Sequence, residues 1–262
     1  MRDRAPMTAK TPQVLSLPEG DYHFVRVLKA DLFSSNILYE RHGKLSVLKR
    51  SRFRVFGGIL LWPLAMLASR REYRFYGQAQ DLPGVPRLGP RVGRTAFLHE
   101  YIPGATLRAT PKKGAIGDGF FPQLREIIGA LHRRRIFYFD LAKSDNIIVG
   151  EDGRPHLIDF QVCVRFPPAD TLLGRLLNPL FELCRQEDLY HYCKLKRKWR
   201  GDQLTGEESA RARRTTFGAF WWRWMSRPYL AVKRKIYPHG SDETIWWKWR
   251  RMQDRERRDR AP

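Results

Sequence analysis

At 262 residues, with 42% of them apolar, the chain is long enough to bury a full core in one domain. Its 49 Lys and Arg against 27 Asp and Glu leave a net charge of +22, which draws the protein toward polyanions. Cys163, Cys184 and Cys193 are few, odd in number and without paired spacing. Neither a disulfide framework nor a zinc site is indicated, and a reducing cytoplasm fits.

Residues 1–18 hold no sustained apolar run, so they read as a disordered tail rather than a signal peptide or a span. Residues 24–28, 37–41 and 45–49 are β-prone runs, the third following a His42-Gly43 turn. The connection at 29–36 contains no glycine, but Ser34, Ser35 and Asn36 tolerate a tight turn and offer donors to an oxyanion. The uncharged residues 55–68 lie between Lys49, Arg50, Arg52 and Arg54 on one side and Arg70, Arg71 and Arg74 on the other. They are too few to cross a bilayer and fit a buried connection or an interfacial segment. A helix is expected to begin near Pro63 and to end before Leu82-Pro83-Gly84, with Arg71 facing solvent. A strand ends at 97–101 on the Pro103-Gly104 turn, with His99 read as a plain turn position, and Phe121, Leu124, Ile127, Ile128 and Leu131 mark the buried face of a helix at 120–135.

The segment from Phe137 to Val149, followed by Leu157-Ile158-Asp159-Phe160-Gln161, carries the most chemistry. It sets an acid, an amide and a second acid in the order that phosphoryl transfer from Mg·ATP requires. Asp140 would accept the proton of an acceptor hydroxyl, while Asn146 and Asp159 would supply hard oxygen ligands to Mg2+. The turn at 151–155 between two short apolar runs predicts a hairpin with a metal ligand at each end.

This pattern resembles the catalytic core of the protein-kinase-like superfamily, with Asp140 as the catalytic-loop acid and Asp159-Phe160-Gln161 in the Asp-Phe-Gly position. Asp140-Leu141-Ala142-Lys143 with Asn146, and the stretch Glu187 to Arg197, look more closely like bacterial proteins of the RIO-type and serine/threonine kinase-like group. That group is related to the lipopolysaccharide core sugar kinases. The resemblance, over about residues 20–205, implies an α+β fold of two lobes that binds ATP and Mg2+. It implies that Lys49 pairs with the nucleotide phosphates and with Glu72 on the following helix. It also implies that Ser34, Ser35 and Asn36 stand in the phosphate loop, and that the backbone of His99 to Tyr101 meets adenine. Lys143 would touch the transferred phosphate.

The departures bear on the substrate. Asn146 follows Asp140 by one residue more than the usual kinase spacing, so the loop must absorb an extra residue. Phe139 stands where activated protein kinases carry a phosphate-reading arginine. Gln161 replaces the glycine, and no Ala-Pro-Glu triplet follows closely. A long peptide-docking segment is therefore not expected, and the acceptor is a membrane-associated sugar or lipid or a protein serine or threonine. The chain divides into a tail (1–18), an N-lobe (19–99), a C-lobe (100–205) and a basic, tryptophan-rich extension (206–262). In the extension, Trp221, Trp222, Trp224, Trp246, Trp247 and Trp249 alternate with cations, a composition suited to an anionic membrane surface and, second, to nucleic acid. The expected location is the cytoplasm, with peripheral contact at the inner face of the cytoplasmic membrane. A catalytically silent, kinase-like adaptor on membrane or RNA is the competing expectation.

Overall fold

The computed structural model describes residues 11–30, 34–51, 62–111 and 114–213. Contacts divide the chain into a unit ending at Arg213 and a second from Arg214 to Pro262. The tryptophan-rich extension, residues 52–61 and residues 31–33 lie outside the described residues.

The first unit opens with β1 (Val14–Leu17), β2 (Gly20–Ala30), β3 (Ser34–Arg41) and β4 (Lys44–Ser51), followed by α1 (Trp62–Ala79), β5 (Leu88–Val92) and β6 (Ala96–Glu100). The strands form one antiparallel sheet in the order β1-β2-β3-β4-β6-β5. Residues 14–17, expected in the tail, therefore belong to the sheet. Leu15 and Leu17 pack on its apolar cluster, a pattern of two side chains too short to register as a strand in sequence. Alternation fixes what each face carries. Ile37, Leu48 and Leu98 sit in register and build one apolar face with Tyr22 and Tyr39. Their neighbours Asn36, Lys49 and Phe97 are likewise in register and occupy the other face.

Helix α1 packs on that second face. Its buried positions Ala65, Ser69, Glu72, Tyr76 and Ala79 recur at helical spacing, so the glutamate lies in the same stripe as the apolar residues. Phe97 meets both Tyr73 and Tyr76 with ring centroids 5.6 Å apart.

After β6 come β7 (Gly104–Thr106), α2 (Phe120–Arg133), β8 (Ile136–Phe137), β9 (Ile147–Gly150), β10 (Pro155–Leu157) and β11 (Val164–Arg165). Then follow α3 (Leu172–Leu176), α4 (Asn178–Trp199) and α5 (Gly206–Arg211). Strands β9 and β10 form the expected hairpin, with β7 alongside β9. Gly104 is required where β7 begins: its φ is +145°, and a Cβ there would stand 2.1 Å from the Val149 carbonyl oxygen. The core of this half gathers Phe120, Phe121, Leu124, Ile128 and Leu131 of α2 with Leu189, Tyr192 and Trp199 of α4. Helix α5 opens on a capping box between Thr205 and Glu208, and Glu208 also meets Lys196 of α4 at 2.7 Å. The C-terminal half thus runs through Ala212, which is buried, rather than ending near residue 205.

Candidate active site

The site lies where the second face of the sheet, α1, the catalytic-loop segment and the end of β10 meet. Lys49, in β4, places its ammonium 2.5 Å from Glu72 Oε1 and 2.8 Å from Asp159 Oδ1. Lys49 and Glu72 are buried, whereas Asp159 keeps 31% of its side chain exposed. Burial works against the lysine charge, but the Asp159 and Glu72 carboxylates outweigh it and hold the ammonium protonated above its ordinary range. Burial pushes Glu72 up to about 7 despite Lys49. For Asp159, burial is overcome by Lys49, and its carboxyl stays below the usual range. One cation thus joins the sheet, α1 and the loop after β10.

Asp159 sits in an unusual backbone conformation, with φ 67°. Its neighbours hold it there. Its N–H donates to the Tyr76 hydroxyl at 3.2 Å, the Tyr138 hydroxyl donates to the Ile158 carbonyl, and the Ile158 N–H donates to the Asn146 carbonyl at 3.0 Å. The rings of His99, Tyr76, Phe160 and Tyr138 continue this support. His99 stacks on Tyr76 at 5.3 Å, Tyr76 meets Phe160 at 4.8 Å, and Phe160 meets Tyr138 at 5.4 Å.

The catalytic-loop segment is built on a second strained residue. Phe139 has φ 68° and ψ −43°, and the Asp140 N–H donates to the Tyr138 carbonyl at 2.9 Å across it. That is a γ-turn of the rare, positive-φ kind. Buried Asp188, on α4, fixes it by accepting the N–H of Tyr138 at 3.0 Å and that of Phe139 at 3.2 Å. His132 Nε2 of α2 bonds the same carboxylate at 2.9 Å. Asp188, Tyr76, Tyr138 and His132 escaped the sequence reading. The signal for Asp188 was its place in the Glu187–Arg197 stretch; for the tyrosines no local signal exists, because their partners are distant backbone groups.

From the γ-turn the chain makes two consecutive 3-10 turns, Asp140–Ala142 and Ser144–Asn146, with Lys143 extended between them. This absorbs the extra residue of the spacing. Lys143 forms an ion pair with Asp140. The Asn146 amide donates to Asp140 Oδ2 at 3.3 Å and to its carbonyl at 3.5 Å. Asn146 Oδ1 is left without a hydrogen bond among the described residues. Asn146 Oδ1 and Asp159 Oδ2 are the hard oxygen donors that suit Mg2+.

Three expectations are corrected. Ser34, Ser35 and Asn36 stand in β3, paired with Ser51, Arg50 and Lys49 of β4, rather than in a loop. The Ser35 hydroxyl and Asn36 Oδ1 are buried without a hydrogen-bond partner among the described residues, and Asn36 shares the face of Lys49. His99 is a buried strand residue, not a turn residue; its Nδ1 meets the Glu100 carbonyl at 2.8 Å, and burial depresses its pKa to about 4. The N–H groups of Glu100 and Tyr101 are already bonded, to Arg87 O at 2.9 Å and Leu45 O at 3.4 Å. Arg71, finally, does not simply face solvent but donates to the Cys163 carbonyl at 2.5 Å.

No family model matches the chain. Serine/threonine-protein kinase C of Synechocystis is 36% identical over 89 residues, which are 32% of this chain and 15% of that protein. The chain thus matches a small part of that relative's length. Among solved structures, the Rio2 kinase from Chaetomium thermophilum is similar over 67% of this chain and 58% of its own, at 18% identity and a TM-score of 0.47. The fold is α+β, a curled antiparallel sheet followed by a mainly helical half.

Proposed function

We propose that this protein is an ATP-dependent phosphotransferase acting on a hydroxyl. The observation that carries the reading is Lys49 bridging Glu72 and Asp159 while Asp140 and Asn146 contact each other on the neighbouring loop. Glu72 aims the lysine, whose ammonium would meet nucleotide phosphate oxygens. Asn146 and Asp159 would hold Mg2+, which would supply positive charge to offset that of the nucleotide phosphates. Asp140 orients the acceptor hydroxyl and takes its proton. Lys143, paired with Asp140 and half exposed, stands where it can also meet the phosphoryl group in transit.

The acceptor is a membrane-associated sugar or lipid, or a protein serine or threonine. The segment between Phe160 and α3 holds only the short β11 and turns, which offers little to a long peptide. The charge of +22 supports peripheral contact with an anionic membrane at the inner face of the cytoplasmic membrane, ahead of nucleic acid. The deciding experiment incubates the protein with labelled ATP, Mg2+ and separated lipid, glycan and protein fractions. Label entering one fraction, and lost in Asp140→Asn, supports the reading. Absence of both Mg·ATP binding and transfer sinks it in favour of a silent adaptor.

A further inference from the structure

The outer face of α1 carries arginines that the chemistry above leaves unused. Arg70 and Arg74 are exposed and stand one helical turn apart, a spacing at which like charges repel. With Arg71 and Arg165 they line a groove of about 360 Å3 between α1 and β11, whose apolar wall includes Leu67 and Phe75. Among the described residues no acidic side chain lines it. Among the described residues no carboxylate pairs with Arg70, Arg74 or Arg165. Arg71 is held in place by the Cys163 carbonyl at 2.5 Å and by the Phe75 ring, whose centroid lies 5.9 Å from its guanidinium.

We propose that this groove binds a phosphate group. Guanidinium forks match phosphate oxygens in plane and in charge, and four of them around one groove exceed what a single carboxylate would neutralise. The position gives binding a consequence. Arg71 adjoins Glu72, which meets Lys49 on the other face of α1, and Arg165 follows the Asp159 loop in β11. A phosphate gripped by Arg70 and Arg74 on one side and Arg165 on the other draws α1 against that loop. It therefore favours the closed Lys49–Glu72 pair and tightens nucleotide binding. This consequence rests on the phosphotransfer reading; the binding itself does not.

The test is calorimetry on the full chain with inorganic phosphate, the nucleotide site being filled by Mg2+ and a non-hydrolysable ATP analogue. Flotation with phosphatidylcholine vesicles containing phosphatidic acid is run in parallel. Arg70→Gln/Arg74→Gln should weaken phosphate binding about tenfold or more, as expected for loss of hydrogen bonds to a charged group. The charge-matched Arg133→Gln/Arg197→Gln, on exposed positions of α2 and α4, should change it little. Phosphate binding lost in the first pair assigns the groove to a soluble ligand. Vesicle binding lost in the first pair, without binding of free phosphate, assigns it to a lipid headgroup. Equal losses in both pairs, or no binding of either probe, overturn the site. Bound phosphate should raise affinity for the ATP analogue about fivefold. An unchanged nucleotide affinity overturns the coupling, whereas failure to bind nucleotide at all strikes the phosphotransfer reading and leaves the groove standing.

Discussion

Asp140 and Asp159 sit in different surroundings, and under the proposed phosphotransfer their loss should differ accordingly. Asp159 is held by Lys49 through Oδ1 and by a strained backbone, which leaves Oδ2 for the proposed metal. Asp159→Ala should therefore weaken Mg·ATP binding as well as turnover. Asp140 touches Lys143 and Asn146 and has no contact with Lys49, so Asp140→Asn should leave nucleotide affinity near wild type while kcat falls about a hundredfold or more. Near-normal transfer by Asp140→Asn would remove its assigned role. His99 gives a second prediction at this scale. Buried and neutral, its pKa is depressed to about 4, whereas in the unfolded chain it titrates near its ordinary value. The unfolded state binds the proton first, so stability is complete above about pH 6.5 and falls as pH drops toward 4. The loss is on the order of 3 kcal/mol at the acid end. Glu72, raised to about 7, acts in the opposite direction over part of this window, because the folded state then holds the extra proton. Urea denaturation of wild type and His99→Leu at pH 7.5 and pH 5 separates the two. The difference between the proteins should shrink on acidification, and a constant difference would exclude the buried neutral imidazole.

Among the elements, the catalytic loop depends most on a distant partner. A positive-φ γ-turn at Phe139 is unfavourable in isolation, and α4 compensates through Asp188, which takes two of the turn's N–H groups. Asp188→Ala strands those donors and His132 in the interior. At roughly 1–3 kcal/mol per unsatisfied group, unfolding in urea should shift by about 3 kcal/mol or more. Asp188→Asn keeps one acceptor oxygen and should fold, yet lower kcat about tenfold by loosening the turn. If Asp188→Asn retains full turnover, the turn does not need its anchor. The same loop shows what was legible in the chain. The β9–β10 hairpin, α2 and the helix after Pro63 follow local patterns of apolar spacing and turn residues, and they lie where those patterns place them. Lys49 and Glu72 also come together, because period 2 in β4 and period 3.6 in α1 turn both inward. Ser34 to Asn36 were misplaced because polarity marks turns and paired strand positions alike. Asp188 was marked only by its place in the Glu187–Arg197 stretch, and Tyr76 by nothing local: their partners are main-chain groups 50 and 83 residues away, and no local pattern records such a bond.

At the scale of the whole molecule, charge is the dominant fact. A protein at +22 is attracted to any polyanion, so attraction alone does not identify the surface it works on. Composition narrows it. Trp221, Trp222, Trp246 and Trp247 lie among cations beyond the described residues, and indole rings with Lys and Arg suit the headgroup layer. Each basic residue near an anionic leaflet adds about 1 kcal/mol, and salt weakens that attraction as it shortens the screening length. Indole insertion is apolar and persists in salt, so the two contributions separate experimentally. Binding to vesicles should rise with anionic lipid content and fall, though not to zero, as salt is added. Replacing the four tryptophans by alanine should remove the salt-resistant part, with circular dichroism unchanged. Turnover on a soluble acceptor should stay near wild type, because every residue assigned to chemistry lies between Lys49 and Asp159. A protein that ignores anionic vesicles at low salt yet binds single-stranded RNA tightly would transfer the same charge and the same rings to stacking on bases, and the membrane reading would fall.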